Sequence, residues 1–511
     1  MSKKHNILLI QVDQMTAKVL PAYGHQVVKT PNLDKLASEG VVFENSYCNF
    51  PLCAPSRMSM LTGRYANTVG VWDNATEAPA ETPTLMHYLR GMGYSTTLCG
   101  KMHFVGPDQL HGYEERVTTD IYPSNFSWAP NWEKGLGDRP TGINLSAVVN
   151  SGQCKRSLQI DYDDEVEYFG VRKIFDLARY EERPFFLTVS FTQPHSPFIC
   201  RPEHWDLYDS DEIDMPRVPA MKEEDMDPMS KWIYYAHAGD LDQPTDDQIR
   251  NSRHAYYGMV SALDEKVGNL VAALKDCDLY EDTVIIFTSD HGDMLGERGQ
   301  WYKQLFYEYS ATVPLIISCP SLFSPKRIEK CVSLVDLTPT VLDIVTNGEN
   351  YEVIDEFEGT SLVPLLKDGK DDDRLDQIIV EYTGEGALAP CRMVRRGSVK
   401  YIYTHGHDDI MYDLANDPLE LTNIADLPEY ADLRKELNAV ALDGWNPTKI
   451  REQILASQKR RLFIAKQTDN DPVWAYKVFE NDDQRYVRKA GAVQTKAFAR
   501  IPRIENESAF K

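Results

Sequence analysis

Long apolar runs are what this 511-residue chain most plainly lacks. The opening "MSKKHNILLIQVDQ" places two lysines before only a handful of apolar residues, too few for a secretory leader and far too few for a membrane span. A cytoplasmic enzyme with no membrane partner is therefore expected. Positive charge is scarce as well: 54 Lys and Arg stand against 78 Asp and Glu, a net charge of −24. That balance argues against nucleic acid or an anionic membrane as the main partner. Nine cysteines fall at 48, 53, 99, 154, 200, 277, 319, 331 and 391 without one C-x-x-C pair, so neither a disulfide framework nor a zinc site is indicated. No internal repeat or low-complexity tract occurs.

What is present is an alternation of strand and helix. The run "NILLIQVD" reads as a buried parallel strand ending on a carboxylate, the end at which open α/β sheets bind ligands. "TPNLDKLASEG" follows as a helix, with Thr30 as its N-cap, Pro31 in the first turn and Gly40 at the stop. The pattern returns in "TPTLMHYLRGMG" before "YSTTLCGK", in "RPFFLTVSFTQPH", and in a long helix from Asn251 to about Cys277 before "TVIIFTSDHGD". The fold class is α/β, a doubly wound sheet whose strands end on His, Lys or Asp along one edge.

The length favours one large domain with a smaller companion. Residues 1–375 form the expected catalytic domain, interrupted at about 205–250 by an acidic, aperiodic insertion over the sheet that shapes a pocket. Short antiparallel strands and a helix are expected over 376–448. From Lys449 onward, 14 Lys and Arg face 8 Asp and Glu, a net +6 on a remainder of −30. Such a basic tail would dock on its own acidic body or on a neighbouring subunit, so a homo-oligomer is expected.

One stretch asks for more than packing. A cysteine among Leu52, Ala54 and Pro55 is ordinarily a small buried hydrophobe, yet Cys53 opens the dodecamer "CAPSRMSMLTGR". This resembles the type I sulfatase signature, C-x-P-S-R followed by L-T-G-R. The resemblance implies an alkaline phosphatase/sulfatase-like fold, with a large mixed, mostly parallel sheet sandwiched by helices and a smaller C-terminal α+β subdomain. It also implies that a formylglycine-generating or sulfatase-maturating enzyme oxidises Cys53 to formylglycine, with Arg57 supporting the aldehyde hydrate that attacks the sulfate ester.

Asp13 and Gln14 after the first strand, and Asp290 with His291 after "TVIIFTS", bring two oxygen-rich strand ends together, which suits a hard divalent cation. The family resemblance makes that ion calcium. Gln14 and His291 stand where many relatives carry aspartate and asparagine, which widens the choice to manganese or magnesium. Lys101 and His103 in "CGKMHFVGP", His195 in "QPHSPF" and Lys303 in "WYKQLF" match the family's remaining active-site positions. By that resemblance Lys101 and Lys303 hold sulfate oxygens, His195 protonates the leaving alcohol and His103 assists the diol. The same aldehyde serves phosphonate monoester and phosphodiester hydrolases of the superfamily, which is the alternative activity.

Within the family, "NFPLCAPSR", "GKMHFVGPDQLHGYEERVTTDIYP" and "SDHGDMLGERGQWYKQ" look most like bacterial choline-sulfatases. Trp128 lies in the segment that contributes to their choline pocket, and a Trp face attracts a quaternary ammonium. The tail departs from them. Residues Ala490 to Lys496 read "AGAVQTK", without an anion to pair with choline. An unassisted cation–π contact is worth about 0.5 to 2 kcal/mol, less than the roughly 1.5 to 3 kcal/mol of a lost charged partner. From the tail, choline sulfate is expected to be a poor substrate beside a neutral or anionic aryl or sugar sulfate.

Overall fold

The computed structural model describes residues 4–122, 125–468, 478–479, 482 and 500–502. Its centre is an eight-stranded sheet built from β1 (Asn6–Val12), β2 (Val41–Phe43), β3 (Ser95–Gly100), β4 (Glu115–Arg116), β5 (Phe185–Ser190), β6 (Thr283–Ser289), β7 (Leu315–Ser318) and β8 (Lys326–Ile328). The spatial order is β8-β2-β7-β6-β1-β5-β3-β4. Only β7 runs antiparallel to its neighbours, so the sheet is mixed and mostly parallel, as the alternating sequence implies.

The apolar runs in β1 and β6 are long because both faces of these strands are covered. Leu8, Ile10, Val12, Ile285 and Phe287 join the core beneath the long helices Leu158–Tyr180 and Asp246–Asp276. Ile7, Leu9, Val284 and Ile286 point the other way, against the helices Cys53–Thr62 and Leu337–Thr346. Period-two alternation thus assigns each residue to one of two cores, and each large side chain so buried stabilises the fold by about 1.5 to 3 kcal/mol.

The helix Pro31–Glu39 forms as expected, but Thr30 does not cap its backbone. Its Oγ1 donates instead to Asp34 Oδ1 at 3.2 Å. A second sheet, Gln377–Tyr382, Cys391–Arg396, Val399–Thr404 and Ile410–Asp413, is an antiparallel meander. One of its faces packs on the helix Ala431–Leu442 through Val394, Tyr401 and Met411. The other packs Val380, Tyr382 and Met393 against Phe50, Leu52 and Phe306 of the large domain. The smaller subdomain is therefore docked on the segment that leads into Cys53. Residues 447–467, read from sequence as the start of a basic tail, form a helix. Arg461 on that helix makes a two-pronged ion pair with buried Asp73, at 2.6 and 2.8 Å. No helix among the described residues is long and apolar enough to cross a membrane.

Gly100 ends β3 with φ +103°, and a Cβ there would lie 1.9 Å from the Ser190 carbonyl oxygen. The neighbouring β5 backbone cannot retreat without breaking the ladder that sets Lys101. Gly100→Ala is expected to lower unfolding free energy in urea by more than about 3 kcal/mol; an unchanged midpoint would show that this approach is not obligatory.

Candidate active site

Four adjacent parallel strands, β6, β1, β5 and β3, bring their carboxyl ends to one edge of the sheet. Asp290 and His291 follow β6, Asp13 and Gln14 follow β1, His195 lies in the turn after β5, and Lys101 and His103 follow β3. Cys53 comes from elsewhere, as the first residue of the fully buried helix Cys53–Thr62. Asn74 Oδ1 accepts the Ala54 N–H at 3.0 Å, satisfying one donor of the helix's first turn. Gln14 and His103 both adopt left-handed backbone, at φ +68° and +58°, a conformation that costs a non-glycine residue about 1 kcal/mol or more and that clusters at functional sites.

Arg57, one turn into the helix and wholly buried, ties these strand ends together. Its Nε donates to Asp290 Oδ2 at 2.8 Å and its Nη2 to Asp13 Oδ2 at 3.2 Å. Its Nη1 donates to the Lys101 carbonyl at 2.6 Å and to Ser190 Oγ at 2.9 Å. Burial opposes the charge, but Asp290 and Asp13 more than offset it and hold the guanidinium ionised. Through Asp13 it is linked to the surroundings of Cys53. Lys101 adds a direct ion pair to Asp13 Oδ2, and together with His195 and Arg57 it keeps Asp13 ionised against the opposing effect of burial.

Each of the two carboxylates therefore gives one oxygen to Arg57 and turns the other inward. Ligand atoms of Asp13, Cys53, Asp290 and His291 lie within 4.8 Å of one another, and all four residues are buried. Cys53 Sγ is 3.2 Å from His291 Nε2 and 3.9 Å from Asp13 Oδ1. His291 Nδ1 lies 3.0 Å from the Gly292 carbonyl oxygen, which can only accept. The proton is thus on Nδ1, and the Nε2 lone pair faces the cluster, the tautomer a metal ligand requires. Burial, the largest influence on this imidazole, lowers its pKa and keeps it neutral. Gln14 donates through Nε2 to Asp293 Oδ2 at 2.5 Å, while its Oε1 accepts from Lys303 Nζ at 2.6 Å.

Lys303 Nζ also reaches His195 Nε2 at 2.8 Å, and His195 Nδ1 donates to the Ser196 carbonyl at 2.7 Å. Lys101 Nζ sits 4.0 Å from the centre of the Tyr122 ring. Half-buried Trp128 meets His103 and Tyr122 edge to face, with centroids 6.0 and 6.3 Å apart. Lys101, His103, His195, Lys303 and Trp128 line one cavity with Cys53, while Arg57 lies beneath it. The described lining includes no residue of 205–250, so the acidic stretch does not shape this pocket.

Three contributors were not read from the sequence. Asp120 accepts the Met102 and His103 N–H groups, each at 2.9 Å, and pairs with Arg116, fixing the loop after β3. Asp163 accepts the Thr192 and Gln193 N–H groups at 2.7 and 2.8 Å, fixing the turn that carries His195. Glu385 enters the cavity from the second sheet and is 4 % exposed. Its Oε1 accepts the Asn74 N–H at 3.3 Å, and its Oε2 has no hydrogen-bond partner. Burial, and next the Asp73 carboxylate, raise its pKa. Glu385 lies in "EYTGEGALAP", where a lone glutamate carries no signal of its own in the sequence. The tail residues 490–496, read as offering choline no anion, lie outside the described residues; inside the pocket Glu385 is a carboxyl group pushed up to about 8, which a bound cation would favour in its charged form.

This edge-of-sheet cluster, with a buried residue 53 at a helix start and two carboxylates on one arginine, has the make-up of a hydrolase site with a group of side chains that could hold a metal ion. The sulfatase family model matches residues 5–347, and the chain belongs to that family. A second model, for the N-sulphoglucosamine sulphohydrolase C-terminal region, matches residues 296–443. The chain is 39 % identical over 497 residues to a choline-sulfatase of Rhizobium meliloti, covering 95 % of this chain and 96 % of that one. It is 29 % identical to human arylsulfatase K, covering 83 % and 79 %. A phosphonate monoester hydrolase from Agrobacterium radiobacter superposes with a TM-score of 0.70 at 25 % identity, covering 88 % and 96 %.

Burial lifts Asp163 from 3.8 to about 7 against the two N–H groups that favour its charge. The folded state therefore binds a proton that the unfolded chain has released, and stability falls as pH rises between those two values. Asp163→Asn should flatten that part of the urea-midpoint profile. A slope equal to that of the parent would show that Asp163 is not the group responsible.

Proposed function

We propose that the chain hydrolyses sulfate monoesters at residue 53 after a separate maturating enzyme has oxidised Cys53 to formylglycine. The observation that carries the reading is the placement of Cys53, at a helix start, between a carboxylate, an imidazole and Lys101. The unmodified thiol is unsuited to attack: burial, and next Asp13, push it up to about 11. As formylglycine hydrate, the residue supplies one hydroxyl to attack sulfur and a second whose proton loss expels sulfate.

The donor set fits a divalent cation. Asp13 and Asp290 face inward with one oxygen each, His291 presents a neutral Nε2, and Gln14 Oε1 retains a second lone pair beside Lys303. We assign Asp13, Gln14, Asp290 and His291 to that ion, calcium first and manganese or magnesium next, which when bound polarises sulfate oxygens. The ammonium groups of Lys101 and Lys303 and the positive end of the residue 53 helix draw the sulfate inward. His195, oriented through the Ser196 carbonyl, protonates the leaving alcohol from Nε2, where it takes up the proton that Lys303 Nζ donates. His103, held neutral by burial and then by Lys101, accepts the diol proton.

On the leaving-group side, the aromatic faces of Trp128 and Tyr122 and the unpartnered Glu385 oxygen suit a cationic alcohol. We therefore place a quaternary-ammonium alkyl sulfate, choline sulfate included, ahead of the neutral esters expected from the tail. Likeness to the phosphonate monoester hydrolase keeps phenyl phosphonate as the comparison substrate. Free cysteines at all nine positions accord with a reducing, cytoplasmic setting, and the basic tail is the segment assigned to subunit contacts.

Active enzyme is expected to show, by peptide mass spectrometry, sulfur at residue 53 replaced by aldehyde oxygen. Cys53→Ala should fold without turnover of 4-nitrophenyl sulfate; surviving sulfatase activity, or phenyl phosphonate turned over faster than the sulfate, would sink the assignment. Glu385→Gln should lower kcat/KM for choline sulfate relative to 4-nitrophenyl sulfate by about tenfold or more. An unchanged ratio would remove Glu385 from cation recognition.

A further inference from the structure

The cavity that holds Glu385 and Trp128 has a second charged wall. Arg500 lines it, brought there by a short antiparallel bridge in which Ile501 N–H donates to the Arg156 carbonyl at 2.9 Å and Lys155 N–H donates to the Ile501 carbonyl at 2.8 Å. Among the described residues, the side chain is held by backbone. Nη1 donates to the Asn150 carbonyl at 2.7 Å and Nη2 to the Gln153 carbonyl at 2.6 Å. A guanidinium has five N–H donors, so these two bonds leave three unused, and the Nε among them is buried without a partner.

No carboxylate among the described residues pairs with this arginine. Of the arginines nearer the reacting residues, Arg57 pairs with Asp13 and Asp290, Arg116 with Asp120 and Arg461 with Asp73, whereas Arg500, like Arg298 farther off, is held by carbonyls. Arg500 is half-buried, and a guanidinium held only by carbonyls gains a charge-assisted partner when an anion arrives to complete it. Its planar fork suits a carboxylate, which can take two parallel N–H bonds. The wall therefore offers a cation with unspent donors, in the same cavity as a carboxylate with an unspent oxygen.

Building on the sulfate-ester reading above, we infer that the leaving alcohol is a zwitterion, the sulfate ester of a hydroxy acid that also carries an ammonium group. Its sulfate lies at residue 53, its nitrogen between Trp128 and Glu385, and its carboxylate on Arg500. The covalent step is unchanged. Arg500 and Glu385 select the alcohol without touching the S–O bond, which breaks as in any other ester of the class.

A matched set of esters tests this. Carnitine O-sulfate is choline O-sulfate with a carboxymethyl group on the sulfate-bearing carbon, and the O-sulfate of carnitine amide is its uncharged isostere. With mature enzyme, kcat/KM for carnitine O-sulfate should exceed that for the amide by about tenfold or more, as expected for a charge-assisted pair. In Arg500→Gln that ratio should collapse towards one. The comparison within the unaltered enzyme does not depend on how well the variant folds. A ratio of one or below in the unaltered enzyme, or a ratio that survives in Arg500→Gln, overturns the inference while leaving sulfate hydrolysis standing, since 4-nitrophenyl sulfate is still cleaved. Failure to cleave any of the esters, 4-nitrophenyl sulfate included, overturns both.

Discussion

The buried guanidinium of Arg57 is the interaction on which the site depends. It is carried by the same helix that starts at Cys53, and it reaches carboxylates beyond β1 and β6, the carbonyl of Lys101 beyond β3 and the hydroxyl of Ser190 at the end of β5. A charge buried this deeply is tolerable only when fully paired. That requirement works in both directions, because the pairing also sets residue 53 at a defined height above the sheet edge. The carboxylates answer by dividing their oxygens, one towards Arg57 and one towards the reacting position. Loss of the arginine would leave two negative charges facing each other in a dry site.

A second layer of carboxylates acts on backbone. Asp120 and Asp163 each accept two successive N–H groups in the turns that carry His103 and His195. These turns leave the sheet abruptly and cannot satisfy their own donors, so buried side chains replace the missing ladder. His103 and His195 thus stand on short loops whose geometry is as constrained as that of the strands. The outer cavity is arranged differently. There Glu385 and Arg500 each retain unsatisfied hydrogen-bonding capacity in a confined space, which is destabilising in isolation and useful for recognition.

The local parts of this arrangement were legible. The motif around Cys53 is contiguous, and the strand-end residues Asp13, Lys101, His195 and Asp290 follow apolar runs whose direction in a parallel sheet places their ends on one side. Side-chain targets were less so. Thr30 has the identity and place of an N-cap, but Asp34 competes for its hydroxyl. Gln14 sits where a metal ligand is expected, yet its amide is shared between Asp293 and Lys303. Glu385 and Arg500 carry no periodicity or spacing and enter the cavity from the second sheet and from the far end of the chain.

The sequence by itself determined the two-faced apolar strands, the alternation that makes the sheet mostly parallel, and the sulfatase motif that opens at Cys53. Each of these is written in neighbouring residues, through side-chain periodicity or a contiguous motif. Tertiary structure alone decided the outer wall of the cavity above Cys53. It folded the antiparallel meander against Phe50 and Leu52, latched the helix Pro447–Gln467 to Asp73 through Arg461, and set residue 500 beside residues 150 and 153. Net charge counted along the chain read the tail as basic and residues 490–496 as offering choline no anion. The fold adds what such a count leaves out, because in a cavity recognition depends on which single groups are left without partners rather than on the sum along the chain.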